Sequence, residues 1–309
     1  MAHDHHGHSH YHPGESASSI RTAFFLNLSF TIIEIVGGLL TNSVAILSDA
    51  VHDLGDSIAL ALSWRLEHLA GRGADHRRTF GYRRYSVLGA LVSALILVAG
   101  STYILLEAIP RILQPESVSE LGMLAIAVVG VVVNLLAVLR LRGGSKLNQR
   151  VVFLHLIEDV LGWLAVLVAS IVMMFVDVPV LDPILSIAIT VFVLAKIIPN
   201  LRATLRVFLQ FAPDGVDVRE IASHLGALES VVGVHDLHAW SLDGEYTILS
   251  AHVVVDKEVD WSEFEALKSR LRAEARKHGI NHTTFEFEPS DRVCDQCELH
   301  LDMQTEHPS

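Results

Sequence analysis

The sequence predicts an α-helical membrane protein with six transmembrane helices and a C-terminal cytoplasmic domain of the α+β class. Two observations support this prediction. The 309-residue chain is 51% hydrophobic and only 19% charged, whereas soluble proteins carry about 25% charged residues. Apolar runs fill the first two thirds of the chain, and charged residues concentrate in the last third. The sequence therefore excludes a single globular core and a disordered chain.

Charge and cysteine content exclude two further classes of protein. The formal net charge is −12, and no basic stripe is long enough to follow a phosphate backbone, so we expect no nucleic-acid partner. Two cysteines are too few for a disulfide-rich secreted scaffold.

Six stretches are long and apolar enough to cross the core of a lipid bilayer, which takes about 20 residues per helix. Each is predicted to be helical because lipid offers no hydrogen-bond partner to an open backbone. The predicted spans are residues 20–40, 43–66, 84–110, 119–141, 149–176 and 181–208.

Lysine and arginine concentrate in alternate loops, which predicts the orientation of the spans. The loops after the first, third and fifth spans contain one basic residue, Arg111. The basic residues after the second and fourth spans are Arg72, Arg77, Arg78, Arg83, Arg84, Arg140, Arg142, Lys146 and Arg150. We therefore expect these loops and both termini to face the cytoplasm.

The soluble part begins near Phe211 and is predicted to have the order α-β-β-α-β. Asp243-Gly244 between two alternating runs is a strong signal for a two-residue hairpin turn. The predicted elements are helices at 214–229 and 260–278 and strands at 231–242, 245–256 and 281–288. A domain of about 80 residues is small for independent stability, which favours self-association.

The expected division of the chain has four parts. They are a histidine-rich disordered tail at 1–18, the membrane domain at 19–210, the cytoplasmic domain at 211–290 and a C-terminal tail at 291–309.

Two of the predicted spans contain the same polar pair. The second span contains HDLGD, with His52 and Asp56, and the fifth contains HLIED, with His155 and Asp159. In each pair the two residues lie on one helix face, one turn apart. An aspartate at the bilayer centre costs about 2.5–3.5 kcal/mol. This cost argues against a purely structural role, since Asn or Ser would join helices at lower cost.

If the two spans pack together, the pairs supply two imidazole nitrogens and two carboxylate oxygens. Zn²⁺ accepts such a tetrahedral set, and imidazole favours zinc and related ions over Mg²⁺ or Ca²⁺. Four protein ligands leave no position for an activated water, so we expect a binding site and not an enzyme. Because protons compete with zinc for these ligands, the sequence predicts exchange of cytoplasmic Zn²⁺ for external H⁺ by alternating access.

Several segments together resemble the cation diffusion facilitator family of zinc-exporting antiporters. They are SVAILSDAVHDLGDS, the following FGYRR, FLHLIEDVLG, and VHDLHAWSLDG with SAHVVV. The resemblance covers nearly the whole chain after the N-terminal tail. It implies a homodimer whose soluble domains are metallochaperone-like, and transport of Zn²⁺ with Cd²⁺ or Co²⁺ tolerated. The transport-site ligands it implies are His52, Asp56, His155 and Asp159.

The loop after the second span departs from one pattern of this family. Some members bind a second metal there through an aspartate and two histidines. Asp75 fits this pattern, but the matching later positions are Arg78 and Tyr82, and His76 is out of register. We therefore leave this loop out of the predicted sites.

The predicted hairpin places a second metal site in the soluble domain. If Asp243 and Gly244 form the turn, His235 lies opposite His252, with Cβ atoms about 4.5–5.5 Å apart. A bulge would shift this register. The resemblance implies that Glu288 completes the site and that zinc there has a structural or regulatory role, drawing two soluble domains together. A hydrogen-bonded histidine pair is the alternative.

Both tails contain metal-ligand types. Cys294 and Cys297, followed by His300, form a Cys-x-x-Cys pair that we include with the cytoplasmic site, although idle thiols explain it equally well. The N-terminal tract chelates metal weakly or is dispensable. Its histidines are His3, His5, His6, His8, His10 and His12.

Two other functions are consistent with parts of the sequence. A membrane metal sensor or channel without proton coupling fits the soluble domain but leaves the ionisable residues in the membrane unexplained. An intramembrane metalloenzyme would show HExxH or several histidine pairs at helix ends, and neither pattern occurs. The compact chain favours the cytoplasmic (inner) membrane of a prokaryote.

Overall fold

The computed structural model describes residues 13–70, 72–141, 147–256 and 260–291. Side chains are described from residue 24 onward, apart from residues 60, 63, 64, 67, 68, 70, 140, 141, 147–155 and 261. The helices are α1 (Pro13–Thr41), α2 (Val44–Ala70), α3 (Arg84–Leu113), α4 (Glu120–Leu141), α5 (Leu147–Phe175), α6 (Leu181–Phe208), α7 (Val218–Gly226) and α8 (Trp261–Lys277). The strands are β1 (Val231–Ser241), β2 (Thr247–Val255) and β3 (His282–Pro289).

Helices α1 to α6 are 22 to 30 residues long. Within the described residues, five of them, all except α2, contain a stretch long and apolar enough to cross a bilayer. Helix α2 has sufficient length but carries Asp49, Asp53 and Asp56 among its apolar residues. Leu113 and Phe175, each 84% exposed, are among many large apolar side chains on the surface of these helices, as expected for contact with lipid. The predicted helical membrane domain is confirmed.

An acidic side chain of α6 fixes the N-terminus of α2. Asn42, with φ 54°, adopts the left-handed conformation that reverses the chain between α1 and α2. The buried Asp182 carboxylate accepts hydrogen bonds from the Ser43 hydroxyl at 2.5 Å, the Val44 N–H at 2.8 Å and the Ala45 N–H at 3.3 Å. The first N–H groups of a helix have no partner within it, so Asp182 caps α2 from another helix.

Two further polar contacts join α2 and α6. The Ser48 and Thr190 hydroxyl oxygens lie 2.8 Å apart. The Ser186 hydroxyl donates to the Val44 carbonyl at 3.2 Å. The buried contact between these helices is therefore polar along more than one turn.

Helices α4 and α5 pack closely around one aromatic side chain. Trp163 of α5 is 1% exposed, and its indole contacts Gly130 of α4, where a Cβ atom would overlap the ring. Phe30 of α1 packs edge-on against the same indole, with ring centroids 5.8 Å apart. The glycine is required at this position because only a residue without a side chain admits the ring.

The chain divides into two compact units. One comprises Met1–Leu69 and Leu88–Leu201, and the other comprises Ala70–Val87 and Arg202–Ser309. The second unit contains a three-stranded sheet in the order β1-β2-β3. Strands β1 and β2 are antiparallel, whereas β2 and β3 are parallel and are connected through α8, as parallel pairing requires a crossover.

Helices α7 and α8 cover one face of this sheet. Leu249 and Val253 of β2 pack against Leu225 of α7 and Leu271 of α8 in a buried core. Because side chains alternate along a strand, His252 lies on the opposite face. The predicted soluble domain with two helices and three strands is confirmed.

The turn between β1 and β2 is one residue longer than predicted. The Leu242 N–H donates to the Tyr246 carbonyl, so the loop consists of Asp243, Gly244 and Glu245. Gly244 has φ 96°. The Asp243 carboxylate accepts hydrogen bonds from the N–H groups of Glu245 and Tyr246, which stabilises the longer loop. The predicted two-residue turn was wrong.

A bulge in β1 compensates for the longer turn. Near the turn His238 pairs with Ser250, but beyond the bulge His235 pairs with His252. Asp236, in the bulge, has φ 46°. The extra loop residue and the extra bulge residue shift the register in opposite directions. His235 therefore faces His252 as predicted, although the predicted turn was not the reason.

Candidate metal centres

Two of the predicted membrane ligands lie on one face of α2. His52 Nε2 is 3.9 Å from Asp56 Oδ2, and their side chains are 20% and 29% exposed. A tetrahedral zinc ion, with bonds near 2.0–2.1 Å, holds its ligand atoms about 3.3 Å apart. Small rotations of the two side chains would therefore let both bind one ion.

The other predicted pair lies on α5. The side chain of His155 lies outside the described residues. The carboxylates of Asp159 and Asp56 both interact electrostatically with Asp49 of α2. Helices α2 and α5 approach each other closely here, because a Cβ atom on Gly162 would lie 3.9 Å from Asp49 Oδ1.

Glu34 is a further acidic residue of the membrane domain and is not among the predicted ligands. This α1 residue is fully buried, and its carboxylate forms a side-chain contact with Asp53 of α2. Its electrostatic neighbours are Asp53, Asp49 and Asp159. Acidic side chains from α1, α2 and α5 thus share one buried region. An isolated glutamate in an otherwise apolar span was the signal available in the sequence.

Lys196 of α6 was also missed. It forms an ion pair with Glu158 of α5, and its Nζ lies 4.5 Å from the centroid of the Phe192 ring. Glu158 directly precedes Asp159 in the sequence, but the lysine accounts for its charge. Glu158 therefore belongs to a contact between helices.

The histidines of the C-terminal domain converge on one carboxylate. His252 Nδ1 lies 2.8 Å from Glu288 Oε1, and His235 Nε2 lies 3.2 Å from Glu288 Oε2. The two imidazole centroids are 5.3 Å apart, and one ligand atom from each residue lies within 4.8 Å of the other two. His252 is 8% exposed. Two imidazoles and one carboxylate form a ligand set suited to zinc.

Asp236 adds a second carboxylate beside this cluster. Its Oδ2 lies 3.5 Å from His252 Nε2, and its Oδ1 lies 3.0 Å from His238 Nε2. The bulge that sets the register thus also positions a partner for His252. We did not predict this role, because a bulge residue has no specific sequence signal.

The loop after α2 uses Asp75 for its own conformation. The Asp75 carboxylate accepts hydrogen bonds from the Tyr82 hydroxyl and from the N–H groups of Arg77 and Arg78, each at 2.7 Å. These bonds, that from Tyr82 first, hold the pKa of Asp75 below its usual value. Arg78 and Tyr82, which replace the expected histidines, are thus part of a polar network.

The same loop contacts the β1–β2 hairpin. Arg83 Nη1 lies 3.2 Å from Asp243 Oδ2. Burial alone would raise the pKa of Asp243, but hydrogen bonds from the hairpin N–H groups and from Arg83 outweigh it and lower the pKa. The end of the α2–α3 connection, at Arg83, is therefore attached to the strand pair that carries His235 and His252.

One further histidine of the sheet and the predicted ligands of the two tails do not join these sites. His282, which is not a predicted ligand, is exposed and packs edge-on to Phe80, with ring centroids 6.0 Å apart. Cys294, Cys297 and the N-terminal histidines lie outside the described residues.

Comparison with known proteins decides the family. Residues 20–209 match the cation efflux transmembrane domain, and residues 213–290 match the cation efflux protein cytoplasmic domain. The chain belongs to the cation efflux family. The resemblance inferred from the sequence motifs is thereby confirmed, and the family consists of transporters, not enzymes.

This cation efflux protein is similar to bacterial relatives along nearly its whole length. It is 35% identical over 308 residues to the cadmium, cobalt and zinc/H(+)-K(+) antiporter of Bacillus subtilis, covering 97% of this chain and 99% of the relative. It is 37% identical over 284 residues to the metal cation efflux system protein CzcD of Cupriavidus metallidurans, covering 91% and 90%. It is 33% identical over 294 residues to the zinc transporter ZitB of Escherichia coli, covering 93% of each.

The two matched domains also indicate where each part of the protein lies. This cation efflux protein is an integral membrane protein with a cytoplasmic C-terminal domain. The description of the second domain's family as a dimer domain suggests that the protein forms a dimer.

Proposed function

We propose that this cation efflux protein exports Zn²⁺, and tolerates Cd²⁺ and Co²⁺, in exchange for H⁺. The observation that carries the proposal is the likeness over 97% of the chain to a relative named as a cadmium, cobalt and zinc antiporter. The arrangement of His52, Asp56 and Asp159 supports it, since it offers imidazole and carboxylate ligands within helices of the transmembrane domain.

The exchange follows from the chemistry of the proposed transport ligands His52, Asp56, His155 and Asp159. Zinc binds neutral imidazole and ionised carboxylate, so entry of the metal displaces protons and protonation releases the metal. An ion held by four protein ligands has no vacant position for a reactive water. The proposed site therefore alternates between a metal-bound and a protonated state, and opening to either side of the membrane converts this alternation into transport.

Flux through reconstituted vesicles tests the proposal. We expect zinc efflux by the wild-type protein to follow an imposed pH gradient. Asp56→Asn and Asp159→Asn should each reduce flux to the level of protein-free vesicles, because the amide cannot provide an anionic ligand. Asp177→Asn, at an exposed aspartate in the α5–α6 connection, is the matched control and should transport normally.

The same vesicles distinguish the alternatives. Zinc flux that is indifferent to the pH gradient and carries an electrical current would indicate a channel. Zinc binding without flux would indicate a sensor. Either result would contradict the proposed antiport.

We further infer that zinc bound by His235, His252 and Glu288 has a regulatory role. It stabilises a homodimer of the cytoplasmic domains and is not the transported ion. The close convergence of the three side chains supports this role, as does their position on the sheet face that α7 and α8 leave uncovered. Cys294 and Cys297 are further proposed ligands.

The bacterial relatives support a location in the prokaryotic inner membrane with both termini in the cytoplasm.

A further inference from the structure

A second group of metal-ligand types lies on the helices of the cytoplasmic domain. Glu220 and His224 are four residues apart on α7, and His278 caps the C-terminus of α8. His224 Nδ1 lies 2.9 Å from His278 Nε2. One ligand atom from each of Glu220, His224 and His278 lies within 4.8 Å of the other two. This helix cluster of Glu220, His224 and His278 is separate from the strand cluster of His235, His252 and Glu288, because α7 and α8 cover the sheet face opposite to His252.

The backbone that carries the helix cluster is held by buried packing. Ile221 and Leu225 of α7 and Ala275 of α8 are fully buried in the domain core. The Asp217 carboxylate caps the first turn of α7 by accepting from the N–H groups of Arg219 and Glu220. The three side chains therefore project from fixed positions, which is the arrangement that metal binding favours.

A hydrogen bond between two imidazoles does not account for the whole cluster. It explains the short nitrogen–nitrogen distance, but not the approach of the Glu220 carboxylate. Water competes for the His224 ring, since its side chain is 47% exposed. Glu274 Oε1 also lies 4.0 Å from His224 Nδ1. Because Glu274 Oε2 accepts a hydrogen bond from Lys277 at 2.6 Å, we do not count Glu274 among the ligands.

We propose that Glu220, His224 and His278 form a surface binding site for Zn²⁺ or a similar borderline divalent cation. Two imidazoles and a carboxylate are three zinc ligands, and water completes the tetrahedron. The imidazole nitrogens select such ions against Mg²⁺ and Ca²⁺. The rings need to separate only slightly, because zinc holds its ligand atoms about 3.3 Å apart. The bound ion ties α7 to the end of α8.

Protection of the histidines from chemical modification tests the site in the full-length protein. The detergent-solubilised protein is stripped of metal and titrated with Zn²⁺ alone, and modification by diethyl pyrocarbonate is measured by peptide mass spectrometry. We expect His224 and His278 to become protected with one common midpoint. The exposed His76 should stay reactive, and Mg²⁺ should protect none of them.

Two variants separate metal binding from a simple hydrogen bond. Glu220→Gln should raise the zinc midpoint roughly tenfold or more, and His278→Gln should abolish the protection of His224. Glu229→Gln, at an exposed glutamate near the end of α7, is the control and should keep the wild-type midpoint. Circular dichroism confirms that each variant is folded.

Three results would overturn the proposal. The first is that the modification of His224 and His278 does not change with zinc concentration. The second is that Glu220→Gln leaves the zinc midpoint unchanged. The third is that Mg²⁺ protects the two histidines as well as Zn²⁺ does. The measurement reports occupancy of the helix cluster, so it is independent of whether the proposed antiport is correct.

Discussion

Asp182 shows how one buried carboxylate organises distant parts of the membrane domain. It is 0% exposed and accepts hydrogen bonds from three successive residues at the start of α2. A buried donor that loses its acceptor retains the full cost of leaving water. The residue thus stabilises the start of the helix that carries His52 and Asp56.

Asp182→Ala should destabilise the protein substantially. It leaves the Ser43 hydroxyl and the N–H groups of Val44 and Ala45 without their acceptor, at a cost of about 2–3 kcal/mol. Thermal unfolding in detergent should show a clear decrease in Tm. Asp177→Ala, at the nearby exposed aspartate, should leave the Tm unchanged. Equal Tm values for both variants would contradict the capping role.

Asp75 is the residue for which the structure predicts a pH dependence. Its folded-state pKa lies below the usual value of 3.8, chiefly because of the Tyr82 hydroxyl. The ionised carboxylate therefore stabilises the loop fully above pH 3.8. This stabilisation is lost as the pH falls through the lowered pKa of the folded state. Hydrogen exchange of the Arg77 and Arg78 amides should accelerate, relative to their intrinsic rates, only below pH 3.8.

Asp75→Asn provides the matching variant. It should accelerate exchange of the same amides already at pH 7, because the neutral amide is a weaker acceptor than the carboxylate. His76→Gln changes the neighbouring exposed residue and should leave the exchange unaltered. Wild-type exchange rates in the Asp75→Asn loop would remove the assigned role.

At the scale of elements, the bulge in β1 determines whether the strand cluster exists. Asp236 occupies the left-handed region with φ 46°, which β-branched residues avoid. Its backbone shape allows His235 to face His252 despite the longer turn. The element therefore depends on one unusual backbone conformation.

Asp236→Gly and Asp236→Val separate the backbone from the carboxylate. Both remove the side chain that contacts His252, but only glycine adopts the left-handed conformation without strain. We expect Asp236→Val to cost about 1–2 kcal/mol relative to Asp236→Gly and to weaken zinc binding by the strands. Binding isotherms of the metal-free protein measure the difference. If both variants bind zinc equally, the bulge does not control the site.

The sequence predicted those features that depend on local spacing. The helical membrane domain follows from the length of the apolar runs, and the one-turn separation of His52 and Asp56 follows from spacing within a single helix. Asp182 and Val44 are 138 residues apart, and nothing local indicates that one caps the other's helix. The facing of His235 and His252 was predicted from a turn that is absent, and the bulge that produces it has no reliable sequence signal. Glu220, His224 and His278 were missed because their proximity depends on the packing of two helices.

At the scale of the whole molecule, the strand cluster is proposed to make dimer formation depend on the zinc concentration in the cytoplasm. If zinc there joins two cytoplasmic domains, the combined variant His235→Ala/His252→Ala should lose the zinc-dependent increase in dimer. Light scattering of the purified full-length protein measures this. Zinc flux should decrease but persist, because the transport ligands are intact.

His282→Ala removes an exposed histidine of the same domain and serves as the control. It should retain both the zinc response and the flux. A loss of flux in His235→Ala/His252→Ala as complete as that in Asp159→Asn would contradict the separation of regulatory and transported metal.

The polar attachment of α2 to α6 constrains how the transporter can move. Asp182, Ser186 and Thr190 hold α2 from its first residues to Ser48, one turn before His52. If α2 slid along α6, these buried hydrogen bonds would break together, and their donors would be left without acceptors. If the proposed transport requires α2 to move, we therefore expect α2 and α6 to move together as one rigid pair of helices.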